Sequence, residues 1–218
     1  SELANSIKEL SIYQDGIRYV LGRHREEDFT DADIVVKGPG VNRNTKYIKL
    51  AKENGATITS DIGIFCEISP SSLYAVTGSK GKSTVVTLIY NIFKSENHNS
   101  FIGGNITISP LNFLRELNKN SKVILELSSW QLRDIKDNGI KFNGAMITNL
   151  LNDHQNYYNN NMIDYLNDKA IITKNQNSSD FLIIPKGDKF INTDNISTDA
   201  KLFYFSKDDQ SGDFYSNG

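Results

Sequence analysis

Leu73-Tyr-Ala-Val-Thr-Gly-Ser-Lys-Gly-Lys-Ser-Thr84, followed at once by Val85-Val-Thr-Leu-Ile-Tyr-Asn-Ile-Phe93, reads as a strand, a glycine-bearing loop and an amphipathic helix. Gly78 and Gly81 let the backbone turn tightly and approach an anion, because no Cβ blocks the way or forbids positive φ. The loop opens onto a helix N-terminus, whose free N–H groups bind phosphate. Lys82 adds a positive charge for the outer phosphates of a nucleotide, and the Ser83 hydroxyl is placed for a magnesium ion riding on them. Apolar residues at Val85, Leu88, Ile89, Ile92 and Phe93 follow helical spacing, so that face is expected to pack on a sheet.

Outward from this unit the chain alternates strand and helix. Helices are expected over 2–13, 44–54 (ended by Gly55), 62–67 and 162–173, and short buried strands at 17–21 and 34–36. Further strands are expected at 56–59, 100–102, 123–127, 144–147, 181–184 and 201–205. The pattern predicts an α/β protein of two doubly wound, Rossmann-like three-layer domains, the second of phosphate-loop ATPase type. Ser69-Pro-Ser-Ser72 marks a boundary, giving a first domain over 1–70 and a second over 71–218. A nucleotide-binding domain normally opens with a strand and this one opens in a helix, so a first βαβ unit is expected to be missing.

Composition narrows the class. A net charge of -2 gives no footprint for nucleic acid. One cysteine, Cys66, excludes an internal disulfide and suits a reducing compartment, so the expected location is cytoplasmic. No apolar run approaches the roughly 20 residues that cross a bilayer. The asparagine runs, such as Asn159-Asn-Asn161, read as loops.

Val123-Ile-Leu-Glu-Leu-Ser-Ser-Trp-Gln-Leu132 is the second informative stretch. A hydrophobic run ending in Glu126 fits a strand that delivers a carboxylate to the magnesium ion, with Ser128 and Gln131 at its C-terminal end. The loop fails the strict G-x-x-x-x-G-K-[ST] pattern, which would need glycine at Val76. Its shorter form, T-G-[ST]-x-G-K-[ST], is similar to that of the Mur ligase superfamily, and the string from Leu125 to Leu132 resembles that family's D-glutamate-adding branch. Gly103-Gly-Asn-Ile106 resembles the G-N-I-G loop, with Thr107 in place of the last glycine. Ile147-Thr-Asn-Leu-Leu-Asn-Asp-His154 resembles the I-T-N-[LI]-x-x-D-H segment, and Lys37-Gly-Pro-Gly40 the S-P-G turn, with Gly38 where serine is usual.

The resemblance implies ligation of UDP-N-acetylmuramoyl-L-alanine to D-glutamate, with ATP and Mg2+ and through an acyl phosphate, in peptidoglycan synthesis. It implies that Gly78, Ser79, Lys80, Gly81, Lys82, Ser83 and Thr84 hold the ATP phosphates, and that Ser83, Glu126, His154 and Lys169 form the magnesium site, Lys169 as a carbamate. Gly40, Asn105, Ser128, Gln131 and His154 are the implied substrate contacts, and Lys82, Glu126, His154 and Lys169 the catalytic group. Family members are roughly twice as long, so adenine contacts and a D-glutamate-binding C-terminal domain are expected outside this chain, which is then expected to be inactive alone and to associate through truncated sheet edges. Two alternatives stay open: another amide ligase of the superfamily, such as a folylpolyglutamate synthase-like enzyme, or a phosphate-loop module that binds nucleotide without ligation.

Overall fold

The computed structural model describes residues 2–106, 108–153, 155–206 and 214–215. The chain divides into two compact units, the first made of 1–35 and 42–58 and the second of 36–41 and 59–218. The first carries α1 (Glu2–Leu10), which tightens into a 3-10 turn over Ser11–Gly16, then α2 (Glu27–Thr30) and α3 (Lys46–Glu53). Gly55 at φ +89° ends α3 as its position predicts. Phe29 stacks on Tyr47 at 4.9 Å, and His24 meets Tyr47 edge-on at 5.1 Å.

Among the described residues, β1 (Ile34–Val36) and β2 (Thr57–Thr59) form the small, two-stranded sheet. The expected strand at 17–21 is absent, with Tyr19 41% and Leu21 53% exposed. A strand without a ladder partner leaves its backbone unpaired, and apolar residues alone do not supply one. β1 forms where expected but is not buried, since Ile34 and Val36 are 61% and 54% exposed.

The second unit is built on a seven-stranded parallel sheet. Its elements run α4 (Asp61–Ile68), β3 (Ser72–Thr77), α5 (Lys82–Ser95), β4 (Ser100–Gly104), β5 (Lys122–Glu126), α6 (Ser129–Asp134), β6 (Gly144–Ile147), α7 (Gln155–Tyr158), α8 (Met162–Ala170), β7 (Phe181–Pro185), β8 (Lys201–Ser206) and β9 (Phe214–Tyr215). The strand order is β4-β5-β3-β6-β7-β8-β9, so the chain winds one way from β3 and then the other. Such a reversal opens a crevice at the C-terminal strand ends, where ligands of open α/β sheets bind.

Strand alternation sorts the core into two layers. Leu73, Ala75, Val123, Leu125, Ala145, Ile147, Leu182 and Ile184 face one way, against Ile62 and Phe65 of α4, Leu132 of α6 and Leu166 of α8. Val76 and Ile124 face the other way, against Val86 of α5. Here the expected stripe of α5 is corrected. Val86 is the fully buried residue, Val85, Ile89, Tyr90 and Phe93 are packed beside it, and Leu88 and Ile92 are 56% and 58% exposed. Helical spacing marks a broad apolar band and does not say which edge of it meets the sheet.

Candidate active site

Parallel pairing brings the two informative stretches together. In register, Val76 of β3 and Gly104 of β4 lie on either side of Glu126, the last residue of β5. Glu126 is 3% exposed at the strand end, one step before the chain turns into α6. The Ser83 hydroxyl, in the first turn of α5, donates to Glu126 Oε2 at 2.6 Å. Asn105 donates through Nδ2 to Glu126 Oε1 at 3.0 Å, and its backbone N–H donates to Glu126 O at 2.8 Å. Gly104 makes this close approach possible: at φ +97° a Cβ would lie 2.2 Å from Glu126 O.

The loop itself is clamped from β6. Ser79 N–H donates to Asn149 O at 3.0 Å and Lys80 N–H to Asn149 Oδ1 at 2.9 Å. In return Thr148 Oγ1 and Asn149 Nδ2 donate to Lys80 O at 2.7 and 3.0 Å. Ser79 Oγ accepts from Leu151 N–H at 3.0 Å and donates to Tyr165 OH at 3.3 Å. The ring of Gly78 contacts is equally tight, for a Cβ there would meet Thr148 Oγ1 at 1.9 Å with φ at +143°. Around Gly81, by contrast, the space is open, and φ is +80°. Val85 N–H reaches back to Gly81 O at 3.0 Å, so the donors of the preceding turn point out of the helix end.

Two amines meet on one carbonyl at the base of the loop. Lys82 Nζ donates to Gly78 O and Ser79 O, both at 3.1 Å, and Lys169 Nζ donates to the same Gly78 O at 3.0 Å. Lys169 is 1% exposed, and its ammonium lies 4.3 Å from the centre of the Tyr165 ring, one turn earlier on α8. Burial, with the Lys82 charge beside it, pulls the Lys169 amine down to about 7, against the opposing pull of Asp153 and Asp168.

The residues fit a phosphate group and its cation. Loop, helix end and Lys82 form an anion cradle, and Ser83 and Glu126 present hard oxygen donors side by side. Among the described residues no group of three or more His, Cys, Asp or Glu gathers into a metal site. That donor set suits Mg2+, which binds through one or two carboxylates and takes its other oxygens from phosphate and water.

The remaining expected contacts are placed as follows. Ser128 and Gln131 form a capping box on α6: Ser128 Oγ accepts from Gln131 N–H at 3.2 Å, and Gln131 Oε1 accepts from Ser128 N–H at 3.0 Å. Gly40 is exposed in a turn that Val41 N–H closes on Gly38 O at 3.1 Å. Thr84 is exposed on the first turn of α5. His154 lies outside the described residues. The clamp from Thr148 and Asn149, and the bridging role of Tyr165, were not assigned from sequence. Their one local signal is the Thr-Asn pair that ends an apolar strand.

The family described as Mur ligase middle domain matches residues 76–217. The chain is 48% identical over 185 residues to the UDP-N-acetylmuramoylalanine--D-glutamate ligase of Borreliella burgdorferi (strain ZS7), covering 84% of this chain and 39% of that protein. The protein of the same description from Treponema pallidum (strain Nichols) is 38% identical over 193 residues, covering 83% and 36%. Among solved structures, the MurF ligase from Thermotoga maritima in complex with ADP superimposes with a TM-score of 0.57 at 18% identity, over 90% of this chain and 51% of that one. A UDP-N-acetylmuramate:L-alanyl-gamma-D-glutamyl-meso-diaminopimelate ligase from Neisseria meningitides gives 0.56 at 15% identity, over 83% and 60%. At these identities the structural matches establish the fold. The chain spans about two fifths of the length of the curated relatives it matches.

Proposed function

Since this chain belongs to the Mur ligase family, we propose that it is the phosphate-binding part of an ATP-dependent ligase that joins UDP-N-acetylmuramoyl-L-alanine to D-glutamate. The observation that supports the reading is the Ser83–Glu126 contact at 2.6 Å beside the loop, two hard oxygen donors from distant stretches lying together. The substrates follow the names of the curated relatives, at up to 48% identity.

In the reaction the substrate carboxylate attacks the γ-phosphorus of ATP and ADP leaves, giving an acyl phosphate. The D-glutamate amine then attacks the acyl carbon, the tetrahedral adduct expels phosphate, and the amine proton is lost to solvent or a base. This chain's residues serve the first half. Helix-end N–H groups and Lys82 hold the phosphates, and Lys82 must leave the carbonyls of Gly78 and Ser79 to do so. Ser83 and Glu126 would hold Mg2+, whose charge would offset the repulsion between carboxylate and γ-phosphate. Asn105 keeps Glu126 in place, and with Gly40, Ser128, Gln131 and His154 it contacts the UDP-sugar. Lys169, whose neutral amine is accessible near pH 7, would add to CO2 as a carbamate with loss of one N–H proton to solvent, the new carboxylate would support the magnesium site, and His154 would hold a second magnesium ion. We place the activity in the cytoplasm. Among the described residues no helix is long and apolar enough to cross a membrane.

The 218-residue segment alone is read as inactive, since the relatives are more than twice its length. The test is incorporation of labelled D-glutamate by the intact gene product carrying this segment. Incorporation that needs ATP and UDP-N-acetylmuramoyl-L-alanine, and is lost in Lys82→Ala, supports the reading. Incorporation of a different amino acid in preference to D-glutamate would move the protein to another branch of the family.

A further inference from the structure

Lys37 and Asp134 meet at 2.6 Å, with each side chain 3% exposed. A buried ion pair is a weak source of stability, because desolvating two charges costs about what their attraction returns, and an apolar pair of similar volume often holds a core as well. What such a pair fixes is direction, and here the direction is informative. Lys37 Nζ also donates to Gly38 O at 3.3 Å, and that same carbonyl accepts Val41 N–H at 3.1 Å to close the turn through Pro39 and Gly40. Asp134 therefore holds the amine, the amine holds the carbonyl, and the carbonyl sets the turn.

The other end of the linkage is equally defined. Asp134 is the last residue of α6, whose first turn is locked by the Ser128–Gln131 capping box. Residues 36–41 pack with the second unit although the residues on both sides of them belong to the first. We propose that the Lys37–Asp134 pair is a positioning device for the UDP-sugar, fixing the Gly38-Pro39-Gly40 turn relative to the N-terminus of α6. The inference rests on the reading above in which Gly40, Ser128 and Gln131 touch that substrate.

The test uses the intact gene product with Asp134→Asn and the double variant Lys37→Met with Asp134→Leu, which replaces the ion pair by an apolar one. The double variant keeps the parent's melting temperature within a few degrees and its KM for ATP within about twofold, while KM for UDP-N-acetylmuramoyl-L-alanine rises about tenfold and kcat changes less than about threefold. Asp134→Asn shows the same KM defect with a lower melting temperature. A double variant that retains the parent's KM for the UDP-sugar, shifts KM for both substrates equally, or melts far below the parent overturns the proposal. A parent that never saturates with the UDP-sugar overturns the substrate reading itself, and this inference with it.

Discussion

Ser83 and Glu126 lie 43 residues apart in sequence, yet the Ser83 hydroxyl rests on the Glu126 carboxylate at 2.6 Å. The contact follows from topology. β3 and β5 are parallel neighbours with Val76 opposite Glu126, so the loop after β3 and the carboxylate ending β5 emerge side by side. Asn105 donates to the other carboxylate oxygen at 3.0 Å, so Glu126 is held from both sides.

Glu126→Gln keeps the shape of this contact and removes its charge. Magnesium-dependent nucleotide affinity should fall about tenfold or more, a loss of at least ~1.4 kcal/mol, while affinity measured in EDTA stays near the parent's. Titration of ADP with and without Mg2+ checks it. An unchanged magnesium effect would remove Glu126 from the cation site.

Gly78→Ala places a methyl group 1.9 Å from Thr148 Oγ1 at a φ of +143°. Steric overlap and backbone strain together should cost about 2–4 kcal/mol, read as a lower melting temperature. Adding Thr148→Ala should recover part of the loss and not all of it, since the backbone strain remains. Full recovery would mean that φ at this position is not a constraint.

Asn149→Ala removes the acceptor for Lys80 N–H and a donor to Lys80 O. The loop loses the two side-chain bonds that hold Lys80 and keeps those from Thr148, Leu151 and the Asn149 backbone, so stability should drop by only about 1–2 kcal/mol and nucleotide affinity should weaken by about threefold to tenfold. Calorimetric titration and thermal melting, run together, separate the two effects. A variant that loses stability but binds nucleotide as the parent does would contradict the clamp.

Lys169 supplies a pH signature. Its amine falls from 10.5 unfolded to about 7 folded, so below pH 7 both states are protonated and the burial penalty is present in full. Between about pH 7 and 10.5 the unfolded state holds the extra proton, and this residue's penalty fades as pH rises. With CO2 excluded, so that the amine is unmodified, Lys169→Met should therefore gain on the parent by roughly 1–3 kcal/mol at pH 6 and by less at pH 9. Chemical denaturation at the two pH values measures this. A constant difference would show that the amine is not depressed.

The phosphate loop was legible because its chemistry is local. Gly78, Gly81, Lys82 and Ser83 carry their meaning in a single turn of chain, and Glu126 ends an apolar run of recognisable length. What pairs across distance was not legible. Thr148 and Asn149 reach Lys80 across 68 and 69 residues, and Lys37 finds Asp134 only once α6 is packed. Ser128 and Gln131 carry an S-x-x-Q capping pattern that is local and legible, and in the fold they bond to each other at the start of α6. The run at 17–21 has the composition of a strand and no edge to pair with, and Leu88 and Ile92 have the spacing of a buried stripe one position off the face that packs.

The most direct measurement follows an oxygen atom. UDP-N-acetylmuramoyl-L-alanine labelled with 18O in its carboxylate, given to the intact gene product with ATP, Mg2+ and D-glutamate, should pass one 18O to the inorganic phosphate released with each ligated product. The transfer should vanish together with product in Lys82→Ala. Ligated product accompanied by unlabelled phosphate would contradict carboxylate attack on the phosphate held in this loop.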